Sequence, residues 1–342
     1  MTPHPHPPVR RIARPLQARQ LRDLQRAARL CWWSISLLGA VTVMMYVSMG
    51  GSQAMQTALI EDVLSLLPPV AFLIALRFRR RGVDGTYVNG RERAFDITFL
   101  ASSVALTAVG TLLVIDGLHA LITRTHPVVG TVAFGDTVIW QGWLMIAALA
   151  LSCVPPVILG HMKVRLARSL ASKPLHTDAD MNKADWLTAV AGIVGVLGIG
   201  FGLWWMDAAA AIFIAVDVLR DGVRNLRNAV RDLHDARPQG VDRSDHDPLP
   251  DRVCDVVSAL PSVAQCRVRL HEEGLRLSGV VEVRTVDGAV SATLADTVRE
   301  TARHVHWRID DLQVQPIADA SIDAMARPLH ARPATPKADT RP

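Results

Sequence analysis

A short acidic stretch, TDADMNKADW, stands directly before a long apolar run of the chain. On a helix, four of its side chains fall at positions i, i+3, i+4 and i+7, which form one face: Asp178, Met181, Asn182 and Asp185. Asp180 would point away from that face. Because charged groups are costly at membrane depth, their presence on one helix face indicates an ion pathway. The stretch therefore predicts one half of a metal site.

A second acidic pair, Glu61 and Asp62, lies inside another apolar run. Thr57, Glu61 and Ser65 would share one helix face, with Asp62 at its edge. A lone carboxylate in such a helix is driven to take up a proton, and a divalent cation or an exchangeable proton removes that conflict. The alternative is a structural pair that Arg or backbone groups satisfy in a polar bundle core. We interpret the pair as the other half of the site.

Composition places the chain among membrane proteins with a soluble part. Half of its 342 residues are hydrophobic, its mean hydropathy is +0.22, and the apolar residues concentrate between Cys31 and Val218. The net charge of +5 lies mainly in tails and loops, which favours membrane orientation over nucleic-acid binding. The four cysteines lack CxxC spacing, so neither a disulfide framework nor a zinc knuckle is indicated. The basic N-terminus lacks a short apolar segment with a cleavage site, so we predict no removable signal peptide.

Six apolar runs predict six transmembrane helices, most with the ~20 residues needed to cross a hydrocarbon core of about 30 Å. Their approximate bounds are Leu30–Met49, Gln53–Phe78, Ala94–Ile122, Val138–Gly160, Asp185–Trp205 and Asp207–Leu219. Two proline pairs, Pro68-Pro69 and Pro155-Pro156, should kink or end their helices.

Basic residues concentrate in alternate loops, which predicts the orientation of the six spans. The N-terminal tail and the loops after spans two and four are rich in Arg and Lys, and the second of these loops includes Lys163 and Lys173. The other loops are nearly free of basic residues. Since basic loops stay in the cytoplasm, both termini are predicted to be cytoplasmic and the protein to be a multi-pass inner or plasma membrane protein.

Five segments are predicted in all. They are a cytoplasmic N-terminal tail at 1–29, a six-helix transmembrane domain at 30–235, a polar linker at 236–250, a small cytoplasmic domain at 251–317 and a disordered tail at 318–342. In the small domain, alternation and turn residues predict the order αββαβ, which is an α+β sandwich with helices on one face of an antiparallel sheet.

The chain resembles the cation diffusion facilitator family, whose members exchange divalent metals for protons. TDADMNKADWLTA resembles the family's A-D-A-x-H-x-x-x-D-x-L-T-S, with Asp178 on the first Asp, Met181 at the usual His and Asp185 on the last Asp. GLWWMDAAAAIFIAVDVLRDG resembles the family's passage into span six, and YVNGRERA resembles its inner-loop P-Y-G-x-x-R-A. The predicted αββαβ part is similar to the family's ferredoxin-like, metallochaperone-like cytoplasmic domain. The resemblance covers about residues 28–317.

Two departures from the family pattern alter the predicted site. Met181 replaces the histidine of span five, and Ser65 stands where span two usually has its second ligand, so that Asp62 is a candidate replacement. Oxygen ligands suit manganese, magnesium or ferrous iron, whereas a thioether favours softer metals, so that Mn, Fe, Zn, Co, Ni and Mg all stay open. The predicted metal ligands are Glu61, Asp62, Asp178 and Asp185, with Asn182 or Met181 assisting.

The resemblance implies a homodimeric antiporter that binds its cation between spans two and five and returns protons by alternating access. Its partners would be a divalent cation, protons and the lipid bilayer, without nucleic acid or a prosthetic group. No enzyme is indicated, since the chain lacks a nucleophile elbow and a phosphate loop. The alternative is a membrane-anchored sensor or scaffold that transports nothing. In the soluble part, His271, His304 and His306 are candidates for regulatory metal, or simply solvated surface residues.

Overall fold

A computed structural model describes residues 16–82, 84, 86–87, 90–134, 137–286 and 290–317. The first part of the predicted N-terminal tail, the predicted turn at 287–288, two residues of YVNGRERA and the predicted disordered tail at 318–342 lie outside these ranges. The chain divides into two compact units. The first holds Met1–Asp247 together with His271–Ser278, and the second holds Pro248–Leu270 together with Gly279–Pro342.

The first unit is built from long helices. In chain order these are α1 Ala18–Ser48, α2 Gln53–Leu64, α3 Leu67–Arg79, α4 Ala94–Ile122, α5 Gln141–Ser152, α6 Val154–Leu170, α7 Lys173–Gly200 and α8 Trp204–Leu233. Among the described residues, five helical stretches are long and apolar enough to cross a membrane: α1, α2 with α3, α4, α5 with α6, and α7. The predicted sixth span falls in α8, which carries Asp207, Asp217, Arg220 and Asp221 and is not among the five. A sixth span therefore stays a prediction.

Both proline pairs interrupt their helices, as predicted. The helix α2 ends at Leu64, and α3 begins at Leu67 with Pro68 and Pro69 in its first turn. The helix α6 likewise begins at Val154 with its prolines in the first turn. A proline lacks the backbone N–H that a continuous helix needs, but it is tolerated in a first turn, where that group has no partner anyway.

A short β-hairpin, which the sequence did not lead us to predict, precedes α5. Its strands β1 (Thr131–Phe134) and β2 (Thr137–Trp140) pair antiparallel, with Thr131 opposite Trp140. The predicted fourth span started at Val138, but this residue lies in β2 and the helix begins at Gln141. Four-residue strands are too short for a clear alternating pattern, so they merged with the apolar run that follows.

Glycines at the contact between α4 and α8 let the two helix backbones pack closely. A Cβ atom on Gly110 of α4 would lie 2.8 Å from the backbone nitrogen of Leu219, and one on Gly222 of α8 would lie 2.7 Å from that of Thr107. Small residues at such crossings let helix backbones approach, which is the usual basis of helix association in membranes. The crossing fixes the central part of α8, where the partly buried Asp217 and Asp221 lie.

Asp207 lies in the first turn of α8, but its carboxylate caps the start of α2. Its Oδ1 accepts hydrogen bonds from the Ser52 hydroxyl at 2.5 Å and from the Ala54 N–H at 3.2 Å, and its Oδ2 accepts from the Gln53 N–H at 2.7 Å. A carboxylate at the start of a helix ordinarily accepts hydrogen bonds from the free N–H groups of its own helix. Asp207 satisfies the free N–H groups of a neighbouring helix instead, so it fastens the start of α2 to the start of α8.

Replacing Asp207 with alanine should destabilise the first unit by about 1–2 kcal/mol, because the start of α2 loses a buried cap. The measurement is thermal unfolding of the purified protein in detergent. Asp116→Ala, which removes an exposed carboxylate from α4, is the matched control and should leave the unfolding temperature unchanged. Equal unfolding temperatures for the two variants would contradict the assigned cap.

The remaining elements follow in the order helix, strand, strand, helix, strand. They are α9 Leu249–Ser258, β3 Val263–Glu273, β4 Arg276–Thr285, α10 Ala292–Val305 and β5 Ile309–Pro316, and the strands form one sheet in the order β3-β4-β5. In the second unit, α10 packs on α9 and on β5. Val253, Val257, Val281 and Val298 are fully buried there. The small sheet agrees with the predicted α+β class, whereas the ferredoxin-like assignment stays a prediction.

Candidate metal centre

Carboxylates from three helices line one cavity of the first unit. Glu61 comes from α2, Asp185 from α7, and Asp217 and Asp221 from α8. The cavity measures about 340 Å³, including the space at its mouth. Its other lining residues are Ser65, Leu106, Met181 and Val218. The structure thus brings the two predicted halves of the site together through Glu61 and Asp185.

Local structure explains why these side chains meet. Glu61 lies one turn before the end of α2, where its carbonyl still accepts the Ser65 N–H at 2.8 Å. Gly195 lets three helices converge, because a Cβ atom there would lie 2.9 Å from the Cβ of Ala210 in α8 and 3.0 Å from that of Ala54 in α2. The acidic residues are therefore held by helices that contact one another closely.

The cavity concentrates negative charge among apolar helices. The carboxylate of Glu61 lies close enough to those of Asp185, Asp62 and Asp217 to interact with them electrostatically. One oxygen each of Asp62 and Asp185 is buried and has no hydrogen-bond partner among the described residues. Desolvated carboxylates at close range repel one another strongly unless protons or a cation neutralise their charge. The arrangement can therefore bind protons or a divalent cation.

The carboxylates do not form a closed ligand set. Within the described ranges, no three His, Cys, Asp or Glu side chains converge closely enough to hold a metal ion. A structural metal site would have its full set of ligands preassembled at bonding distance. The carboxylates that line the cavity are therefore not preassembled around one metal ion within the described ranges.

A family model decides which kind of protein this is. The cation efflux transmembrane domain matches residues 30–234, which is more than half of the chain. This chain belongs to the cation efflux family. Manganese efflux system protein MneS from Bacillus subtilis (strain 168) is 22% identical to it over 165 residues, which are 48% of this chain and 53% of that relative. The chain thus aligns with about half the length of this curated relative.

Family membership confirms three of the expectations from sequence. Cation efflux proteins are transporters, so the prediction that the chain is not an enzyme is correct. The five apolar helical stretches agree with a multi-pass membrane protein. The resemblance to cation diffusion facilitators is likewise confirmed, because the matched domain spans all the helices of the first unit that carry acidic site residues.

The structure places Asp178 in an ion pair rather than in the acidic cavity. Its Oδ2 lies 2.6 Å from the Nζ of Lys163 on α6, and the two side chains are 4% and 1% exposed. The sequence placed Lys163 in a loop, and that assignment is wrong because the residue lies in α6, where it is buried. A helical wheel shows which side chains share a face, but it does not show which neighbouring helix each of them meets. The metal-binding role of Asp178 in this cation efflux protein stays a prediction.

Asn182 and Met181 are engaged within the bundle. Asn182 is buried and donates to Asp178 Oδ1 at 3.3 Å. The sulfur of Met181 accepts a hydrogen bond from the amide of Asn225 at 3.6 Å, and its side chain packs on Leu64, Leu106 and Val218. Met181 lines the acidic cavity and also a second, smaller cavity that contains Asp178. Met181, which replaces the family's histidine, therefore lines both cavities, and its thioether has a hydrogen-bond partner.

Sequence reasoning underrated the acidic residues of α8. Asp217 and Asp221 both line the cavity, although neither is among the metal ligands predicted from the sequence. Their spacing of four residues in an apolar helix was the available signal, because it places both carboxylates on one face. Asp116 and His119, two further polar groups of α4, are exposed on the surface of the first unit.

The candidate regulatory histidines form no metal cluster among the described residues. The carboxylate of Glu273, whose Oε1 lies 3.8 Å from Nε2 of His271, raises the pKa of His271 and favours its protonated form. Metal binding requires a neutral imidazole, so this environment disfavours His271 as a ligand. His304 is exposed at the end of α10, as expected for a solvated surface residue.

Proposed function

We propose that this protein exports a divalent metal cation across a membrane and that Glu61 and Asp185 bind the cation in transit. The observation that supports this most directly is the shared cavity, in which carboxylates of α2, α7 and α8 meet among apolar helices. Membership of the cation efflux family supports the direction of transport. Asp62, Asp217 and Asp221 supply the additional negative charge of the cation path.

Manganese is the proposed physiological cation. The cavity offers carboxylate and hydroxyl oxygens and no imidazole, and these ligands suit hard divalent ions. The thioether of Met181 has its own hydrogen-bond partner, which weakens the case for a soft metal. The relative MneS carries the description of a manganese efflux protein, which agrees with this preference.

Transport would proceed by alternating access with protons as counter-ions. Deprotonated carboxylates bind the cation from the cytoplasmic side, and protons arriving from the opposite side displace it because ligation requires the ionised form. One buried oxygen each of Asp62 and Asp185 has no hydrogen-bond partner among the described residues, which supports such an exchange because a desolvated charge favours the binding of a proton or a cation. A homodimer with cytoplasmic termini and a sixth span in α8 completes the proposal.

Reconstitution into liposomes tests the proposal. We expect manganese uptake into inside-out vesicles, with protons moving in the opposite direction, and much weaker transport of zinc in a screen across manganese, iron, zinc, cobalt, nickel and magnesium. Protein-free liposomes provide the baseline. Absence of flux with all six ions would refute the carrier and leave a non-transporting sensor or scaffold. Zinc transport faster than manganese transport would refute the proposed ion while leaving the carrier intact.

A further inference from the structure

A basic stripe runs along the C-terminal half of α8. Its four guanidinium groups follow one another at spacings of four, three and four residues, so they share one helix face: Arg220, Arg224, Arg227 and Arg231. All four side chains are exposed. At 1.5 Å per residue the stripe is about 16 Å long. Together with Val216, Leu219, Val223 and Asn228, it lines a surface groove.

The stripe lacks a complementary partner in the described part of the chain. None of its four guanidinium groups lies within ion-pair distance of a described carboxylate. Arg220 and Arg224 interact with Asp221 electrostatically, but over a longer distance. The nearby Asp232 is engaged by Arg243 at 2.7 Å and by Lys173 at 3.7 Å. Like charges spaced by one helical turn destabilise each other, so an external anion would stabilise this face.

The same face becomes apolar toward the start of α8. Phe213 and Val216 precede the stripe at matching helical positions and are 52% and 49% exposed. The face thus changes from apolar to cationic along the helix axis. A phospholipid has the same order of properties, with acyl chains followed by a phosphate headgroup, and basic residues just beyond a membrane helix attract anionic lipids.

We propose that this groove binds an anionic phospholipid, whose phosphate is held by the four arginines and whose acyl chains lie against Phe213 and Val216. Guanidinium groups bind phosphate oxygens in bidentate pairs, which gives an arginine stripe an advantage over scattered lysines. A second copy of the chain is a poorer occupant. A two-fold contact through this face would set arginines against arginines. The proposal rests on membership of the membrane family and does not depend on which metal is transported.

The test uses full-length protein in a neutral detergent, titrated with short-chain phosphatidylglycerol while intrinsic tryptophan fluorescence is recorded. Short-chain phosphatidylcholine and inorganic phosphate are titrated in parallel. We expect saturable binding of phosphatidylglycerol only. The variant with Arg220, Arg224, Arg227 and Arg231 all changed to glutamine should bind it at least about tenfold more weakly, because every basic residue near the anionic headgroup is lost.

The matched control changes the same number of charges elsewhere. Four exposed arginines on α1 are replaced by glutamine: Arg19, Arg22, Arg26 and Arg29. This variant should bind phosphatidylglycerol like the wild type. Equal losses in both variants would overturn the groove in favour of diffuse surface charge, as would equal binding of phosphatidylcholine or phosphate. A change from dimer to monomer in the α8 variant alone would assign the face to a second copy. If the fourfold variant misfolds, the exposed pair Arg224→Gln and Arg227→Gln is tested by the same criteria.

Discussion

Liposomes that contain the Asp185→Asn variant are expected to show no manganese transport above the protein-free baseline. Asp185 lines the acidic cavity, and one of its oxygens is buried without a hydrogen-bond partner among the described residues. The amide is nearly isosteric with the carboxylate, so packing is retained while the charge is lost. Groups that merely orient metal ligands already contribute 10–100-fold to affinity, so removal of a ligand should exceed about 100-fold.

Asp180→Asn is the matched control for this prediction. It makes the same change five residues earlier in α7, where the carboxylate is 52% exposed and lies 3.1 Å from His176. Transport by this variant should equal that of the wild type. Glu61→Gln should reproduce the loss seen with Asp185→Asn, because the two residues come from different helices but line the same cavity. Unimpaired transport by either cavity variant would contradict the proposed site.

Asp217 and Asp221 could each bind the cation directly or could only raise the local cation concentration through their charge, and an experiment distinguishes these roles. Metal binding to the purified variants Asp217→Asn and Asp221→Asn can be measured by isothermal titration beside their transport. A ligand would change the affinity for manganese at every ionic strength, whereas a remote charge would act less as salt rises.

Helix positions were largely predictable from the sequence, because length, apolar composition and proline pairs act locally. The third predicted run has the bounds of α4, and each proline pair lies where a new helix begins. The site was predictable only in part. Sequence periodicity shows which residues share a helix face, but it does not show which neighbouring helix that face contacts. Asp185 of α7 and Glu61 of α2 line the same cavity. Asp178, on the same predicted helix face as Asp185, instead contacts Lys163 of α6.

Lys163 shows why the remainder was out of reach. It stands in a stretch with Arg165 and Arg168, whose side chains are exposed, so composition alone suggests a cytoplasmic loop. Burial of a single ammonium group depends on a carboxylate from a different helix, and the separation of fifteen positions along the chain conceals the pair. A buried cation in a basic segment becomes visible only when tertiary contacts are known.

The variant Lys163→Met should be destabilised by about 3–5 kcal/mol, the usual effect of leaving one member of a buried ion pair without its partner. Methionine retains much of the side-chain volume, so the loss reflects the charge and not a cavity. The measurement is thermal unfolding in detergent. Arg165→Met, on the same helix but exposed, is the control and should unfold like the wild type. An unfolding temperature equal to that of the control would contradict the ion pair.

The double variant Lys163→Met, Asp178→Leu decides between two roles of Asp178. Replacing a buried ion pair with apolar side chains of similar volume is often neutral or stabilising, so the double variant should recover the stability that Lys163→Met alone loses. If Asp178 serves only to pair with Lys163 and hold α7 against α6, manganese transport returns with stability. If Asp178 ligates the cation during transport, as the family motif implies, the double variant is stable but inactive. Recovery of transport would therefore limit the cation site to the acidic cavity of α2, α7 and α8. A stable but inactive protein would extend the cation path to the smaller cavity that contains Asp178.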